Sequence, residues 1–258
     1  MSVSVNHTRL RSRQVIAGLL LAGALPGNSA AEPPGGLVEV TADTYQLAKE
    51  TQGVVVMAAD WSRIWRVCRA ENIQLRTFAF DRVPVQKRGD KEAADLVLKP
   101  PPSLLAGPGT VGYYALLVEP GEYALSYSEL KVARSVSKVD TFALGRKQLI
   151  ADGNSRAGSF TVGAGEIVYV GHFAMDCIDG EPTIWRYYIM GRKGFHEFLT
   201  KNVKPKYPFL DIDAIQYRLL KTSTIGNDYE LQCYFPSSAE QVPADRESLY
   251  DGEDCVSN

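Results

Sequence analysis

The first 31 residues constrain this chain most, because they decide the compartment in which the remainder has to fold. An uncharged apolar run at residues 15–25 follows three arginines (Arg9, Arg11 and Arg13) and precedes the small residues Ser29, Ala30 and Ala31. A basic start, a short apolar core and a small-residue exit are typical of a secretory signal peptide. The run of 11 residues is shorter than the roughly 20 that a membrane-spanning helix needs. We therefore expect cleavage after Ala31, a periplasmic or secreted protein, and no transmembrane segment.

The charge balance argues against a general nucleic-acid binder. The chain has 28 basic and 30 acidic residues, and residues 1–31 contain three of the basic ones and none of the acidic ones. The remaining 25 basic and 30 acidic residues give the mature form a net charge of −5, which does not favour binding to a polyanion through overall charge. We expect an envelope protein or a polysaccharide as the partner. The composition does not indicate an oligomeric state.

The four cysteines, Cys68, Cys177, Cys233 and Cys255, gain meaning from the predicted export. None of them follows the cleavage site, so a lipid-modified N-terminus is not expected. No two of them have the C-x-x-C spacing of a redox or zinc site. In an oxidising compartment they predict up to two disulfides, with three connectivities open. Because sandwich cross-links join distant strands and a polar tail needs a nearby tether, we predict Cys68–Cys177 and Cys233–Cys255.

Strand signals dominate the first two thirds of the mature chain. Residues 53–59 form a short continuous apolar run, which is typical of a strand covered on both faces. Residues 73–80 begin with the alternation of a half-buried strand. Residues 83–111 are rich in Pro, Gly and charge and predict a loop. Residues 182–190 are rich in aromatic and β-branched side chains and predict another strand.

Two turn signals predict β-hairpins. Pro120 and Gly121 separate two apolar segments, residues 112–119 and 122–127, and suit the two central positions of a type II turn. The second turn has the sequence Gly-Ala-Gly at residues 163–165. It would join a strand with one solvent-exposed face, at residues 159–162, to a central strand at residues 166–174.

The apolar period changes from two to about 3.6 after Met190. Phe195, Phe198 and Leu199 predict a short helix that ends before Pro205. Asp211 is placed to cap a second helix, whose apolar stripe would contain Ile212, Ile215 and Leu219. Residues 229–235 predict an edge strand, and residues 236–258 a polar tail.

The pattern around the two turns resembles that of bacterial exported β-sandwich envelope domains of the PEGA type. The resemblance covers residues 110–175 and rests on P-G-x-Y-x-L at Pro120–Leu125 and A-G-x-x-x-Y-x-G at Ala164–Gly171. It implies an immunoglobulin-like sandwich with no shared catalytic residues. The chain departs from the lipoprotein members because it lacks a lipid-bearing cysteine, and the resemblance does not explain the helical C-terminal part.

We therefore expect a mainly β protein, an antiparallel immunoglobulin-like β-sandwich with a small C-terminal α/β appendage. The expected boundaries are a signal peptide at 1–31, a flexible leader at 32–36, the sandwich at 37–190, a helical appendage with an edge strand at 191–235 and a polar tail at 236–258.

Neither catalytic nor metal-binding motifs stand out. His172 and Cys177 are five residues apart, which is roughly 16 Å along an extended strand, too far for a nucleophile and its base unless a sharp turn intervenes. Asp176, Asp179 and Glu181 would offer oxygen ligands to calcium, but their spacing fits an acidic turn better. The sequence contains no phosphate-binding glycine motif and no serine-nucleophile motif. We expect no cofactor, no metal and no catalytic residue.

The best candidate for a binding surface is the segment from Trp61 to Arg66. Trp61, Arg63, Trp65 and Arg66 combine two indole rings with two guanidinium groups, and the tryptophans would share one face of either a helix or a strand. Such a surface suits sugars or anionic polymers. The alternative is a pair of core tryptophans flanked by solvated arginines.

These features favour an exported, non-catalytic protein of the bacterial cell envelope with a role in binding or assembly. The alternative is an envelope hydrolase that acts on polysaccharide or peptidoglycan. A deep cleft with two carboxylates about 5–9.5 Å apart would favour the hydrolase, whereas a filled sandwich would favour the binding protein.

Overall fold

β-Strands form most of the described part of the chain. The computed structural model describes residues 39–66, 68–85, 89, 93–100, 110–178, 181–187, 191–222 and 224–225. In chain order the strands are β1 (Gly53–Asp60), β2 (Ile64–Trp65), β3 (Asn72–Arg82), β4 (Leu96–Leu98), β5 (Val111–Val118), β6 (Gly121–Ala133), β7 (Val139–Leu144), β8 (Ile150–Ala151), β9 (Asn154–Ser155), β10 (Ser159–Val162), β11 (Ile167–Ile178), β12 (Glu181–Tyr187), β13 (Ile215–Tyr217) and β14 (Thr224–Ile225). The helices are α1 (Ala42–Ala48), α2 (Arg146–Leu149), α3 (Gly191–Phe198) and α4 (Lys204–Lys206), with a π-helical turn at Leu199–Val203 and a 3-10 turn at Ile212–Ala214.

Sheet A has the strand order β14-β12-β11-β1-β5, and β13 also pairs with β11. Its central strands β1 and β11 are the two continuous apolar runs, and the prediction that both are covered on both faces is confirmed. The expectation of purely antiparallel pairing is wrong, because β11 runs parallel to both β1 and β13. Sheet A is therefore a mixed sheet.

Sheet B has the order β10-β6-β3-β2, with β4 beside β3 and β7 beside β6, and all of these pairs are antiparallel. A third, two-stranded ribbon joins β8 to β9. Sheets A and B bury their facing side chains in one common apolar core. Phe78 and Phe80 of β3 contact Phe173 of β11 there, with ring centroids 4.6 and 6.3 Å apart.

Helical residues cover the outer face of sheet A, which is the face turned away from sheet B. Phe198, Leu199 and Val203 pack with Val56 and Tyr169 in a second apolar cluster. The predicted end of the helix before Pro205 is wrong, since helical backbone continues to Lys206. Pro205 lies in α4, directly after the π-helical turn Leu199–Val203.

The predicted helix after Asp211 is also wrong. Asp211 does cap a turn, and its carboxylate accepts a hydrogen bond from the Asp213 backbone N–H at 3.1 Å, but the turn is a single 3-10 turn. The chain then extends as β13, with Ile215 beside Ile167 of β11. This edge of β11 is open because β12 pairs only with the later residues of that strand. Pairing with β11 therefore buries Ile215, one of the apolar residues of the predicted helical stripe.

Both predicted hairpins are wrong, although the turns lie where the sequence places them. Pro120 separates β5 from β6, but β5 pairs with β1 in sheet A and β6 pairs with β3 in sheet B. Likewise, β10 pairs with β6, while β11 pairs with β1. Each turn carries the chain from one sheet to the other, and apolar residues of both flanking strands, such as Leu116 and Leu125, face the core between the sheets.

The Cys68–Cys177 disulfide is confirmed, and it joins the segment before β3 to β11 across 109 residues of sequence. Cys233, Cys255 and the predicted strand and tail at 229–258 lie outside the described residues, as do residues 188–190 of the predicted strand that became β12. Among the described residues, no helix has the length and apolar character needed to cross a membrane.

Candidate functional site

The two tryptophans of the candidate segment lie in different environments. The Trp61 side chain is 0% exposed, and its Nε1 donates a hydrogen bond to the Tyr114 hydroxyl at 2.7 Å. The amide of buried Gln74 donates to the Trp61 carbonyl oxygen at 2.9 Å. Trp61 therefore belongs to the core, and the prediction that it shares a surface with Trp65 is wrong.

Trp65, in contrast, lies at the surface with 55% of its area exposed. It is the second residue of β2, where it pairs with Asn72 of β3. The preceding residue, Ile64, packs against the core between the sheets. Because successive side chains of a strand point to opposite faces, burial of Ile64 directs the Trp65 indole outward.

Trp65 leads into a tight turn with an unusual backbone. Arg66, Cys68 and Arg69 have φ angles of +58°, +50° and +53°, a left-handed conformation that non-glycine residues rarely adopt. Each such residue costs on the order of 1–3 kcal/mol, and it persists only where its surroundings hold it. We call residues 63–71 the Trp65 loop.

Three sets of contacts hold the Trp65 loop in this conformation. The Arg66 N–H donates to the Glu71 carbonyl oxygen at 2.9 Å, which closes the turn. The disulfide ties Cys68 to sheet A. Nη1 of Arg134, which follows β6, donates to the carbonyl oxygens of Cys68 and Arg69 at 3.0 and 3.3 Å. The loop is thus fixed from both sheets before any ligand arrives.

The Trp65 loop carries more positive than negative charge. Arg66 and Arg69 are exposed and Arg63 is half-buried, whereas the acidic residue of the loop is the exposed Glu71. Within the described part of the chain, no carboxylate forms an ion pair with any of these three arginines. The nine-residue loop therefore carries three arginines together with an exposed indole ring.

The sequence prediction named Arg63, Trp65 and Arg66 of this loop and missed Arg69. Arg69 continues the spacing of three residues between Arg63 and Arg66. That spacing was a visible signal for Arg69. The left-handed backbone had no signal, because neither Arg nor Cys favours positive φ and only tertiary contacts enforce it.

The structure does not support the other sites considered in the sequence, a cysteine nucleophile and a calcium site. Cys177 is bonded to Cys68, so it supplies no thiolate for the His172–Cys177 pair considered above. Of the possible calcium ligands, Asp179 and the side chains of Asp176 and Glu181 lie outside the described residues. Elsewhere in the described part, no three His, Cys, Asp or Glu side chains are grouped as metal ligands would be.

No family model, curated protein or solved structure matches this chain.

Proposed function

We propose that the chain is an exported, non-catalytic binding protein of the bacterial cell envelope, and that the Trp65 loop holds an anionic envelope polysaccharide. The observation that carries the proposal is the exposed Trp65 ring on a loop that is fixed by a disulfide and that also carries three arginines, none of which has an acidic partner among the described residues. The disulfide also supports an oxidising compartment, where such bonds persist.

The chemistry of the loop suits a polymer that combines sugar rings with carboxylate or phosphate groups. A guanidinium group binds a carboxylate or phosphate through two parallel hydrogen bonds. An exposed indole offers a flat apolar surface against the C–H face of a sugar ring. The arginines at positions 63, 66 and 69 would supply the guanidinium groups for the charges of such a chain.

Rigidity of the loop favours binding for a further reason. A flexible loop loses conformational freedom when it binds, and this loss weakens the affinity. The left-handed turn, the disulfide and the Arg134 hydrogen bonds have already removed that freedom in the unbound protein.

An immunoglobulin-like scaffold is part of this proposal. Two sheets that face each other across one core support it, and the turns near Pro120 and Gly163 carry the chain between those sheets as in a sandwich. The parallel pairing of β11 with β1 and β13 departs from the usual arrangement of such domains. In this scaffold the loops at the end of the sandwich would do the binding.

A calorimetric titration of the mature protein with oligogalacturonate, a chain of carboxylated sugars, tests the proposal. We expect binding that Trp65→Ala weakens roughly tenfold or more, as for a central interface residue. Leu47→Ala serves as the control, since Leu47 is another exposed apolar side chain. The double variant Arg66→Gln/Arg69→Gln should weaken binding, and its control is Lys193→Gln/Lys201→Gln, two exposed cations of the helical segment.

Equal losses in the test and control variants would contradict a specific site, and so would absence of binding by the wild-type protein. Release of new reducing ends during the titration would favour the hydrolase alternative. We expect none. Among the described residues, one crevice between β6, β7, β12 and β14 is lined by Ser128 and apolar side chains, without a carboxylate.

A further inference from the structure

The outer face of sheet A carries a second aromatic cluster, separate from the Trp65 loop. The strand register places Tyr113, Ala58, His172 and Tyr187 side by side across β5, β1, β11 and β12. Directly opposed residues point to the same face of a sheet. Trp185 precedes Tyr187 by two residues and shares that face. We call Tyr113, His172, Trp185 and Tyr187 the aromatic row.

A β-bulge at Gly171 brings His172 into this row. Val56 pairs with Tyr169 and Ala58 with His172, so β11 uses one residue more than β1 over this stretch. Gly171 has a φ of +115°, and a Cβ there would lie 2.8 Å from Cγ of Arg186. The extra residue puts Tyr169 and His172 on one face, where the Tyr169 hydroxyl and His172 Nδ1 are 2.5 Å apart.

The row changes from buried to exposed along its length. Phe198 of α3 covers His172, with ring centroids 4.8 Å apart. Tyr113 and Tyr187 are half-buried, and Trp185 is 39% exposed. The Trp185 and Tyr187 rings lie 6.5 Å apart at an angle of 57°. They form an angled aromatic surface.

Burial keeps His172 and Tyr187 uncharged at neutral pH, and the carboxylate of Asp60 is close enough to Tyr187 to affect its pKa. Burial lowers the pKa of His172 to about 4. Burial, with smaller contributions from Asp60 and Tyr113, raises the pKa of Tyr187 to about 12. Asp60 ends β1, is half-buried, and accepts a hydrogen bond from the Ser62 N–H at 2.8 Å. The row thus combines aromatic rings, neutral hydroxyl groups and a carboxylate.

We propose that the exposed end of the aromatic row binds a neutral pyranose ring. The C–H face of the sugar would stack on Trp185 and Tyr187, since aromatic surfaces favour such apolar contact. Sugar hydroxyls would donate hydrogen bonds to the Asp60 carboxylate. They would both donate to and accept from the Tyr187 hydroxyl. A small number of polar groups of this kind is enough to set the orientation of a ligand. The Asp60 charge disfavours an anionic sugar. The site therefore complements the cationic Trp65 loop but does not depend on it.

Saturation-transfer NMR of the mature protein with cellopentaose and chitopentaose, two neutral oligosaccharides, tests the proposal. We expect saturation of sugar ring C–H protons by at least one of them. Trp185→Ala should weaken this binding at least about tenfold, whereas Trp65→Ala should leave it unchanged. The exposed Val139 of sheet B provides a control, Val139→Ala, which should also have no effect.

A competition experiment separates this site from the proposed function. Oligogalacturonate should not displace the neutral oligosaccharide, because the two ligands occupy different surfaces. Failure of both neutral probes to bind would overturn the inference, and so would binding that survives Trp185→Ala or that follows Trp65→Ala. If Trp185→Ala does not fold, Tyr187→Phe and Asp60→Asn replace it, and wild-type affinity in both variants would overturn the inference.

Discussion

Arg134 donates a hydrogen bond from Nη1 to the carbonyl oxygen of Cys68 at 3.0 Å, while the Cys68 side chain is bonded to Cys177. One residue of the Trp65 loop is thereby tied to sheet B through its backbone and to sheet A through its sulfur. The position of the loop depends on these two ties, and each can be removed separately.

The variant Arg134→Met removes the hydrogen bonds from Arg134 to the backbone of the Trp65 loop, and we expect it to increase the mobility of the loop. Each lost hydrogen bond to a carbonyl costs about 1–2 kcal/mol of unfolding free energy, and affinity for oligogalacturonate should fall in parallel. Arg134 also forms an ion pair with Asp140 at 3.6 Å. Asp140→Asn is therefore the matched control, and it should cost less than about 1 kcal/mol because the pair is partly exposed. Urea unfolding and calorimetry measure both effects, and equal costs would contradict the positioning role.

The double variant Cys68→Ser/Cys177→Ser removes the disulfide, and it should lower the free energy of unfolding by more than Arg134→Met does. The bond closes a sequence separation of 109 residues, for which the chain-entropy model gives a loss of about 3–5 kcal/mol. Urea unfolding of the oxidised, reduced and double-serine proteins measures this loss. Peptide mapping without reduction should recover Cys68 and Cys177 in one linked peptide. A Cys177–Cys233 peptide, or an unfolding midpoint insensitive to reduction, would contradict the assignment.

The left-handed backbone at Arg69 predicts an unusual order of stability. Arg69→Gly should be more stable than Arg69→Ala by about 1 kcal/mol, because glycine adopts positive φ without steric cost. At Lys201, in the helical turn Leu199–Val203, the order should be reversed, with alanine more stable than glycine by about 1 kcal/mol. Thermal unfolding of the four variants gives both differences. If Arg69→Ala is more stable than Arg69→Gly, as alanine is expected to be at Lys201, the backbone of Arg69 is not left-handed.

The buried pair of Asp81 and Arg146 predicts a loss of stability in acid. Nε and Nη2 of Arg146 donate to the Asp81 carboxylate at 2.5 and 3.1 Å. Burial raises the pKa of Asp81, but the hydrogen bonds from Arg146 and Ser126 and the Arg146 charge outweigh burial and hold it below its ordinary value of 3.8. A carboxylate with a lowered folded-state pKa stabilises the fold above its unfolded pKa, and this contribution disappears as the pH falls through the folded-state value.

Chemical unfolding as a function of pH should therefore show a fall in unfolding free energy below about pH 4. This acid-dependent part should be smaller in Asp81→Asn. At neutral pH, Arg146→Gln should cost about 3–5 kcal/mol, because it leaves a buried carboxylate without its partner. The more exposed pair of Glu166 and Arg218 provides a comparison, since Arg218→Gln should cost about 1 kcal/mol or less. Similar costs for the two arginine variants would contradict the argument.

Much of the fold follows from local patterns, and the errors have a common cause. The continuous apolar runs of β1 and β11 were predictable, because burial on both faces leaves no polar alternation, and β12 was predictable from its aromatic and β-branched residues. The break between β5 and β6 at Pro120 was also predictable, but not its conformation, since Gly121 has a φ of +157° and already belongs to β6 rather than to a type II turn. Whether the next strand stays in the same sheet was not predictable either, since Leu125 meets the same core in either case and only long-range pairing with β3 decides between the two.

The candidate site shows the same limit. An isolated segment could not distinguish Trp61 from Trp65, because the assignment depends on a hydrogen bond from Trp61 to Tyr114 of a distant strand. Ile215 gives another example, since its helical spacing after Asp211 was real but the open edge of β11 offered burial in a strand. In each case a tertiary contact overrode a local preference.

Fluorescence of Trp65 tests the central claim most directly, because the ring itself would report the contact. The chain has three tryptophans, so Trp185→Phe leaves Trp65 and the fully buried Trp61 as the emitters. Oligogalacturonate should shift the emission to shorter wavelength and protect Trp65 from acrylamide quenching, and about 1 M salt should reverse both changes by screening the arginines. Oligogalacturonate binding detected by calorimetry, with the emission and quenching of Trp65 unchanged, would contradict the account.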